Sequence, residues 1–220
     1  MWAAIKTNGS LWTWGFNEYG NLGLNQAGPG PGGNWRSSPT QVGTETTWSQ
    51  VAKGLQQMVA AIKTDGSLWT WGYNYNGTLG QGNNTQYSSP RQVGTDTTWA
   101  TVQVSQGPGM CMATKTDGTL WTWGHNSNGK LGHNNNTHYS SPKQVGTLTN
   151  WAKTENFQMD MGSYHTAMIN TSGELFMCGD NNYGQQGHNN RTVYSSPLQI
   201  PGTWKNIHTT SMATGAAKDV

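Results

Sequence analysis

The densest group of candidate metal ligands in this 220-residue chain is three histidines, His125, His133 and His138. Imidazole nitrogens bind Zn²⁺ when three or four ligands meet at a fixed geometry. The residues 52 positions earlier are ordinary polar loop residues, namely Tyr73, Gln81 and Gln86. We therefore predict that the histidines are solvated loop residues, and we predict neither a metal site nor a cofactor.

Catalytic groups of other kinds are sparse. Asp and Glu total 10, and two of them, Asp65 and Asp117, each precede a Gly in a predicted tight turn. The chain has no Gly-x-Ser-x-Gly nucleophile motif and no phosphate-binding Gly-rich loop ending in Lys-Ser/Thr. An active site needs converging ionisable groups, so we predict no catalytic residue and no enzyme activity.

The charge balance also excludes several partners. Charged residues make up 10% of the chain and the formal net charge is +2, so nothing favours nucleic acid or an anionic membrane. No apolar run reaches the roughly 20 residues of a membrane helix.

Cys111 and Cys178 stand at different repeat positions, which predicts two buried thiols rather than a repeated disulfide framework.

The 12 Trp and 30 Gly belong to a tandem repeat. Leu-Trp-Thr-Trp-Gly occurs three times and a degenerate Leu-Phe-Met-Cys-Gly once, at 11–15, 68–72, 120–124 and 175–179. The Pro of a following Ser-Ser-Pro lies 18 residues after the motif Gly in repeats two to four, and 24 residues after it in repeat one. Constant gaps of this kind indicate four structural units and one loop insertion, within Gln26–Trp35.

Each unit is predicted to contain β-hairpins. Asn8-Gly9, Asp65-Gly66 and Asp117-Gly118 separate apolar runs, and such pairs favour a type I′ turn because both central residues need a positive φ. No helical period is present. We expect about four short antiparallel strands in each unit.

The Trp residues are predicted to form the core. In Leu68–Trp71, Leu and Thr face one way and both Trp the other, so the strand is apolar on both faces and fits a blade stacked between two others. The predicted core comprises the repeat-defining tryptophans, Trp12, Trp14, Trp48, Trp69, Trp71, Trp99, Trp121, Trp123, Trp151 and Trp204.

The pattern Asp-Gly-x-Leu-Trp-x-Trp-Gly-x-Asn-x-x-Gly-x-Leu-Gly resembles the regulator of chromosome condensation repeat. Tyr164–Ala167 resembles the Gly-x-x-His-Thr-x-Ala start of that repeat. The resemblance implies an all-β propeller, which family members usually close with about seven blades. Near-identical repeats of this wording are also similar to those of bacterial and tailed-phage surface proteins, which suggests a virion or extracellular location.

We expect a single domain over 1–220, with repeats near 1–47, 48–98, 99–150 and 151–203 and a partial closing blade at 204–220. Met1–Thr7 aligns with Met58–Thr64, so both ends carry part of the same blade position. Three alternatives follow. The strand from Trp204 closes a four-bladed ring, or it completes a blade of another copy in a head-to-tail oligomer, or the chain is part of a longer repeat protein.

The predicted function is a non-catalytic scaffold for protein–protein interaction or structural assembly, with a protein partner or copies of itself. Alternatives are a nucleotide-exchange regulator of a small GTPase, which is the founding activity of the family, and a lectin-like binder of carbohydrate. The candidate partner-contact residues lie in loops rich in Asn, Thr and Tyr, which suit adaptable contacts: Pro29, Pro31, Trp35, Tyr87, Tyr139 and Tyr194.

Overall fold

The chain folds into antiparallel sheets, seen in a computed structural model that describes residues 1–27, 34–53, 58–105, 109–152, 159–209 and 214–218. In these residues the regular structure is almost entirely β, with two 3-10 turns at Tyr75–Gly77 and Ser127–Gly129. The all-β propeller architecture is thereby confirmed. The strands in chain order are β1 (Trp2–Ile5), β2 (Leu11–Gly15), β3 (Arg36–Gln41), β4 (Trp48–Lys53), β5 (Met58–Lys63), β6 (Leu68–Gly72), β7 (Tyr87–Gln92), β8 (Trp99–Val104), β9 (Met110–Lys115), β10 (Leu120–Gly124), β11 (Tyr139–Gln144), β12 (Met159–Met161), β13 (His165–Ile169), β14 (Leu175–Gly179), β15 (Tyr194–Ile200), β16 (Trp204–Thr209) and β17 (Thr214–Lys218).

Each sheet, or blade, is a meander of consecutive strands. The described residues form one three-stranded blade, β1–β3, then three four-stranded blades, β4–β7, β8–β11 and β12–β15, and a two-stranded sheet, β16–β17. The expectation of four strands holds for the middle three blades. Among the described residues, no strand of the first blade corresponds to β4 and β8, which begin at Trp48 and Trp99.

The last sheet bears on the predicted closing blade. β16 pairs with β17, with Trp204 opposite Lys218, as Trp48 lies opposite Lys63 between β4 and β5. Within the described residues neither strand pairs with the first blade. The four-bladed ring closed by the Trp204 strand, one of the three sequence alternatives, is therefore not formed by these residues, because β16 finds its partner in the hairpin that follows it.

The predicted hairpin turns are present, but the predicted type I′ geometry is wrong: the glycine of each pair has a positive φ, whereas Asn8, Asp65 and Asp117 do not. In the second blade the turn closes through the Gly66 backbone N, which donates to the Lys63 carbonyl at 2.9 Å.

The Asp65 Oδ1 accepts hydrogen bonds from the backbone N and the hydroxyl of Ser67, and these bonds lower the pKa of Asp65. Gly66 has φ +78°, and a Cβ built on it would lie 2.1 Å from the Thr97 carbonyl oxygen. The turn glycine thus permits both the turn itself and the close approach of the segment that leads into the next blade.

The core lies between consecutive blades. Trp71, Val59 and Ala61 of the second blade pack with Leu11 and Val42 of the first. The opposite face of the second blade packs on the third through residues of both, among them Ala60, Ile62, Leu68, Leu79, Trp99, Cys111 and Trp123. Leu68 and Trp71 therefore lie on opposite faces of the second blade.

The predicted core tryptophans fall into two groups. Five are buried: Trp48, Trp71, Trp99, Trp123 and Trp151. Five are half-buried: Trp12, Trp14, Trp69, Trp121 and Trp204.

A pair of alanine substitutions separates the two requirements on the turn glycine. Gly94 has φ +61° and no described atom within 4 Å of a built Cβ, so Gly94→Ala should cost only the left-handed backbone penalty of about 1–2 kcal/mol. Gly66→Ala carries the same penalty and also overlaps the Thr97 carbonyl, so we expect a further loss of about 1–3 kcal/mol. Urea unfolding monitored by Trp fluorescence measures both, and equal losses would contradict the steric requirement.

Candidate protein-binding face

One end of the propeller collects the long loops. Because the strands of each blade are antiparallel, the loops that follow β2, β6, β10 and β14 emerge at the end opposite the Asp-Gly turns. We call this surface the loop face, formed by residues 16–27 with 34–35, 73–86, 125–138 and 180–193, together with Ser163 and Tyr164. It carries few exposed charges, since Lys130 and Asp180 are both buried.

A buried Asn organises each of these loops. The Asn74 Oδ1 accepts from the Leu79 backbone N at 2.9 Å, and the Asn74 Nδ2 donates to the carbonyls of Asn83 and Thr85. Asn126 makes the corresponding bonds in the third repeat, and Asn181 makes them in the fourth. The loops are therefore held from within, so the face is pre-organised for binding.

Large aromatic side chains project from the loop face. Tyr75 is 66% exposed, Tyr183 74%, Trp35 51% and Tyr164 44%. Tyr75 stacks on Tyr73 with ring centroids 6.3 Å apart. Tyr and Trp are the residues that most often carry binding energy at protein interfaces.

Sequence reasoning did not single out Tyr75, Tyr164 or Tyr183. A usable signal exists for Tyr75 and Tyr183, because they occupy the two variable positions between the motif Asn and Gly. The first position differs in all four repeats, and the second is either Tyr or Asn.

The sequence-predicted contact residues lie in several places. Tyr87, Tyr139 and Tyr194 are half-buried at the starts of outer strands, where their hydroxyls accept hydrogen bonds from Asn83, Asn135 and Asn190 respectively. Trp35 packs against Phe16 with ring centroids 5.3 Å apart. Pro29 and Pro31 lie outside the described residues. Trp35 lies on the loop face, and the three tyrosines adjoin it at the starts of their strands.

The three histidines of the third repeat lie in its loop, but they do not converge on one point. His125 and His138 stack with ring centroids 4.8 Å apart, and His138 Nδ1 accepts from the Asn126 backbone N. The His133 Nε2 lies 2.9 Å from the Thr122 hydroxyl. In the part of the chain that the structure describes, no three His, Cys, Asp or Glu side chains are grouped to hold a metal ion. His138 is exposed, but His125 and His133 are half-buried, so the prediction of solvated loop residues is wrong for these two. Desolvation lowers the pKa of both His125 and His133 to about 4.

A pocket of about 320 Å³ opens on the loop face between the third and fourth repeats, lined by Asn128, Ser163, Tyr164, Asp180, Asn182, Tyr183 and Gln185. The Asp180 carboxylate accepts hydrogen bonds from the side-chain amides of Asn182 and Gln185. Beneath the pocket the buried Lys130 Nζ donates to the Ser163 carbonyl at 3.0 Å, and desolvation lowers the pKa of Lys130 to about 7. Amide and carboxylate side chains thus line the pocket together with two exposed phenol rings, those of Tyr164 and Tyr183.

Cys111 and Cys178 are both free and buried. Burial raises the pKa of both thiols, that of Cys178 to about 12, so neither presents a reactive thiolate near neutral pH. No helix among the described residues has the length and apolarity needed to span a bilayer.

Comparison with known proteins covers nearly the whole chain. The family profile described as "Regulator of chromosome condensation (RCC1) repeat" matches residues 8–61, 65–114, 117–169 and 172–217. The human E3 ubiquitin-protein ligase HERC2 is 28% identical over 201 residues, which is 91% of this chain and 4% of that protein. The ultraviolet-B receptor UVR8 of Arabidopsis thaliana is 28% identical over 197 residues, which is 90% of this chain and 43% of the receptor.

The fold is similar to that of solved propellers. The crystal structure of Prp20p from Saccharomyces cerevisiae, a protein studied for its binding to Gsp1p and histones, matches with a TM-score of 0.77 at 18% identity. That match covers 98% of this chain and 53% of Prp20p. The chain therefore spans less than half the length of these two curated relatives and about half of this solved propeller.

The histidine pKa values predict acid sensitivity. Each folded-state pKa lies below the ordinary value of about 6.5, so between about pH 6.5 and pH 4 the unfolded chain binds protons that the folded chain does not. Stability should therefore be complete above pH 6.5 and fall as the pH is lowered through this window.

Urea midpoints measured from pH 7 to pH 4 test this sensitivity. The double variant His125→Tyr with His133→Gln carries the residues of the second repeat, and it should lose less stability on acidification than the parent chain. Parallel pH profiles for the two proteins would contradict the assignment to these histidines.

Proposed function

This chain belongs to the regulator of chromosome condensation (RCC1) repeat family, and from that premise we propose that it is a non-catalytic propeller scaffold whose loop face binds a protein partner. The observation that carries the proposal is the set of exposed aromatic side chains on internally braced loops. Tyr75 and Tyr183 are more than 60% exposed and stand on loops fixed by the buried Asn74 and Asn181.

The exposed aromatic side chains suit a neutral protein surface better than a highly charged partner such as nucleic acid. The face offers phenol and indole rings with amide side chains between them and little net charge. Rings of this kind bury much apolar area at a low cost in side-chain entropy, and amides adapt their hydrogen bonds to the partner. Such a surface therefore favours a neutral protein patch over nucleic acid.

The acidic side chains support a non-catalytic role. Asp65 and Asp117 accept hydrogen bonds within their turns, and Glu45 and Asp96 form ion pairs with lysines. Carboxylates committed to turns and ion pairs supply structure rather than proton transfer, since general acid–base catalysis needs a positioned group with a suitable pKa.

Carbohydrate binding is a second candidate function, favoured by the pocket between the third and fourth repeats. The phenol rings of Tyr164 and Tyr183 at its rim provide flat apolar faces, and the Asp180 carboxylate with its amide neighbours provides hydrogen-bond acceptors and donors for hydroxyls. Probing a glycan array with the wild-type chain and with Asp180→Asn tests this function. A hit that the Asn variant retains in full would not be a ligand of this pocket.

Two finer alternatives rest on resemblance alone. Nucleotide exchange on a small GTPase is supported by family membership, and accelerated release of labelled GDP in the presence of the chain would support it. A location on a virion or cell surface is supported by the similarity of the repeat wording to bacterial and phage surface proteins, and detection of the chain in purified particles tests it.

The scaffold proposal predicts that binding depends on the loop-face aromatics. Proteins captured from an extract of the source organism should be retained at least about tenfold less by Tyr75→Ala or Tyr183→Ala, because loss of an aromatic anchor costs about 1.4 kcal/mol or more. Quantitative mass spectrometry of the captured proteins measures the ratio, and titration of the purified partner confirms it.

Leu148→Ala is the matched control. Leu148 is 40% exposed and lies at the opposite end of the propeller, among the turns, so its truncation should leave capture unchanged. Binding through the loop face would be contradicted if the wild type, both Tyr variants and Leu148→Ala captured the same amount of partner. It would also be contradicted if Leu148→Ala lost as much binding as the Tyr variants.

A further inference from the structure

A larger pocket lies where the first blade meets the second, toward the end of the propeller opposite the loop face. Its volume is about 600 Å³, within the range of about 300–1,000 Å³ that is usual for small-ligand sites. The Thr13 hydroxyl, in the middle of β2, donates to the Leu22 carbonyl at 2.7 Å, so the segment after Leu22 runs beside the strands. We call this the junction pocket, lined by residues 23–25 and 41–45 with Trp48, Trp69, Ser89 and Pro90.

The apolar part of the junction pocket is fixed in place. Trp48 and Trp69 pack edge to face with ring centroids 6.1 Å apart, and Pro90 adds a further apolar ring. The Trp69 Nε1 donates to the Ser67 hydroxyl at 2.8 Å, and the Lys63 ammonium lies 3.8 Å from the Trp69 ring centroid. These contacts hold the indole in one orientation, so the pocket has a pre-organised apolar wall.

The polar side chains of the junction pocket have unused hydrogen-bonding groups. Gln41, Thr44 and Ser89 make no side-chain hydrogen bond to any residue that the structure describes. Glu45 pairs with the Lys63 ammonium at 2.8 Å through Oε2, which leaves its Oε1 as an acceptor. Amides and hydroxyls both donate and accept, so these groups suit a ligand that carries several hydroxyls.

The charges of the junction pocket disfavour an ionic ligand. The described residues that line it include no Lys or Arg, so an anionic group would find no cationic partner there. The carboxylate of Glu45 is already balanced by Lys63, so a cationic group would have to compete with an existing ion pair. The fitting ligand is therefore neutral, with one apolar surface and several hydroxyls.

The corresponding pocket between the second and third blades provides an internal comparison. It is smaller, about 300 Å³, and its polar groups are mostly committed. The Gln81 amide donates within its own blade, and both oxygens of the Asp96 carboxylate are bonded, Oδ1 by Thr98 and Oδ2 by Lys115. The first junction thus has both more space and more free hydrogen-bonding groups than the second.

We propose that the junction pocket binds a neutral saccharide residue of a glycan. A pyranose ring has a flat C–H surface, which packs on Trp69 and Pro90, and its hydroxyls bond to Gln41, Glu45 and neighbouring hydroxyl side chains. This pocket is separate from the loop face, including the pocket beside Asp180. The proposal therefore does not rest on the scaffold function or on carbohydrate binding at the loop face.

Gly43→Asn tests the proposal by placing a side chain in the pocket. Gly43 has φ +61° and no described atom within 4 Å of a built Cβ, and Asn25 and Asn76 adopt a similar backbone, with φ +57° and +60°. An array of neutral and acidic oligosaccharides, followed by calorimetric titration of the strongest neutral one, measures binding. We expect one site per wild-type chain and an affinity at least about tenfold lower in Gly43→Asn.

The next junction supplies the matched controls. Gly94 has the same φ of +61° and an equally open Cβ position, but it lines the smaller pocket, so Gly94→Asn should bind like the wild type. Trp69→Phe takes the residue that Phe176 provides in the fourth blade, and its narrower ring should weaken binding at least about threefold. Trp121→Phe, the same change one blade later, should leave the affinity unchanged.

Three results would overturn the proposal: a wild-type chain that binds no neutral oligosaccharide, a Gly43→Asn protein that binds as tightly as the wild type, or equal losses in Gly43→Asn and Gly94→Asn. A glycan that Asp180→Asn loses and Gly43→Asn retains is a ligand of the loop-face pocket, which also contradicts the assignment. Circular dichroism and urea midpoints establish that each variant is folded before its binding is compared.

Discussion

Consecutive blades are joined through one backbone carbonyl in each repeat, and the rest of the structure depends on that contact. The Asn21 carbonyl accepts from the Trp71 indole, and the Thr78 carbonyl from the Trp123 indole. In the fourth blade Cys178 replaces the Trp, and the Lys130 carbonyl accepts from the Thr166 hydroxyl at 2.9 Å and lies 3.4 Å from the Cys178 thiol. The acceptor is thus kept while the donor changes, because a buried carbonyl left without a donor is costly.

This contact explains the glycines and asparagines of the repeat. The carbonyl lies in the loop that the buried motif Asn holds in shape, so Asn17 and Asn74 fix the acceptor as well as the loop. A Trp ring can reach the carbonyl only where no Cβ intervenes, which accounts for Gly23 and Gly80. The contact between neighbouring repeats, more than any single strand, therefore requires the Asn and Gly of the motif. This is expected for a repeat array, because one unit cannot bury its apolar faces alone.

The sequence predicted the parts of the fold that depend on local rules. Asp65-Gly66 and its counterparts predicted the hairpins but not their turn type, because only the glycine of each pair has a positive φ. The Leu68–Trp71 alternation predicted that the Leu and the two Trp lie on opposite faces of the strand. Other features depend on what stands opposite in space. Trp2 and Trp71 are the same kind of residue on the same face, yet one is exposed and the other buried. The pairing of β16 with β17, and the projection of Tyr164 beside the pocket, likewise follow from neighbours that periodicity does not specify.

Two lysines of this weakly charged chain, Lys63 and Lys115, lie against indole rings and pair with carboxylates. Lys63 lies 3.8 Å from the centroid of Trp69 and 4.9 Å from that of Trp48, and its ammonium pairs with Glu45 at 2.8 Å. Lys115 repeats the arrangement with Trp121, Trp99 and Asp96. Burial alone would raise the pKa of Asp96, but its bonds to Lys115 and Thr98 lower it to about 2. Indole faces and carboxylates hold these two lysines within their own blades, so both positive charges are neutralised locally and neither is presented on the loop face.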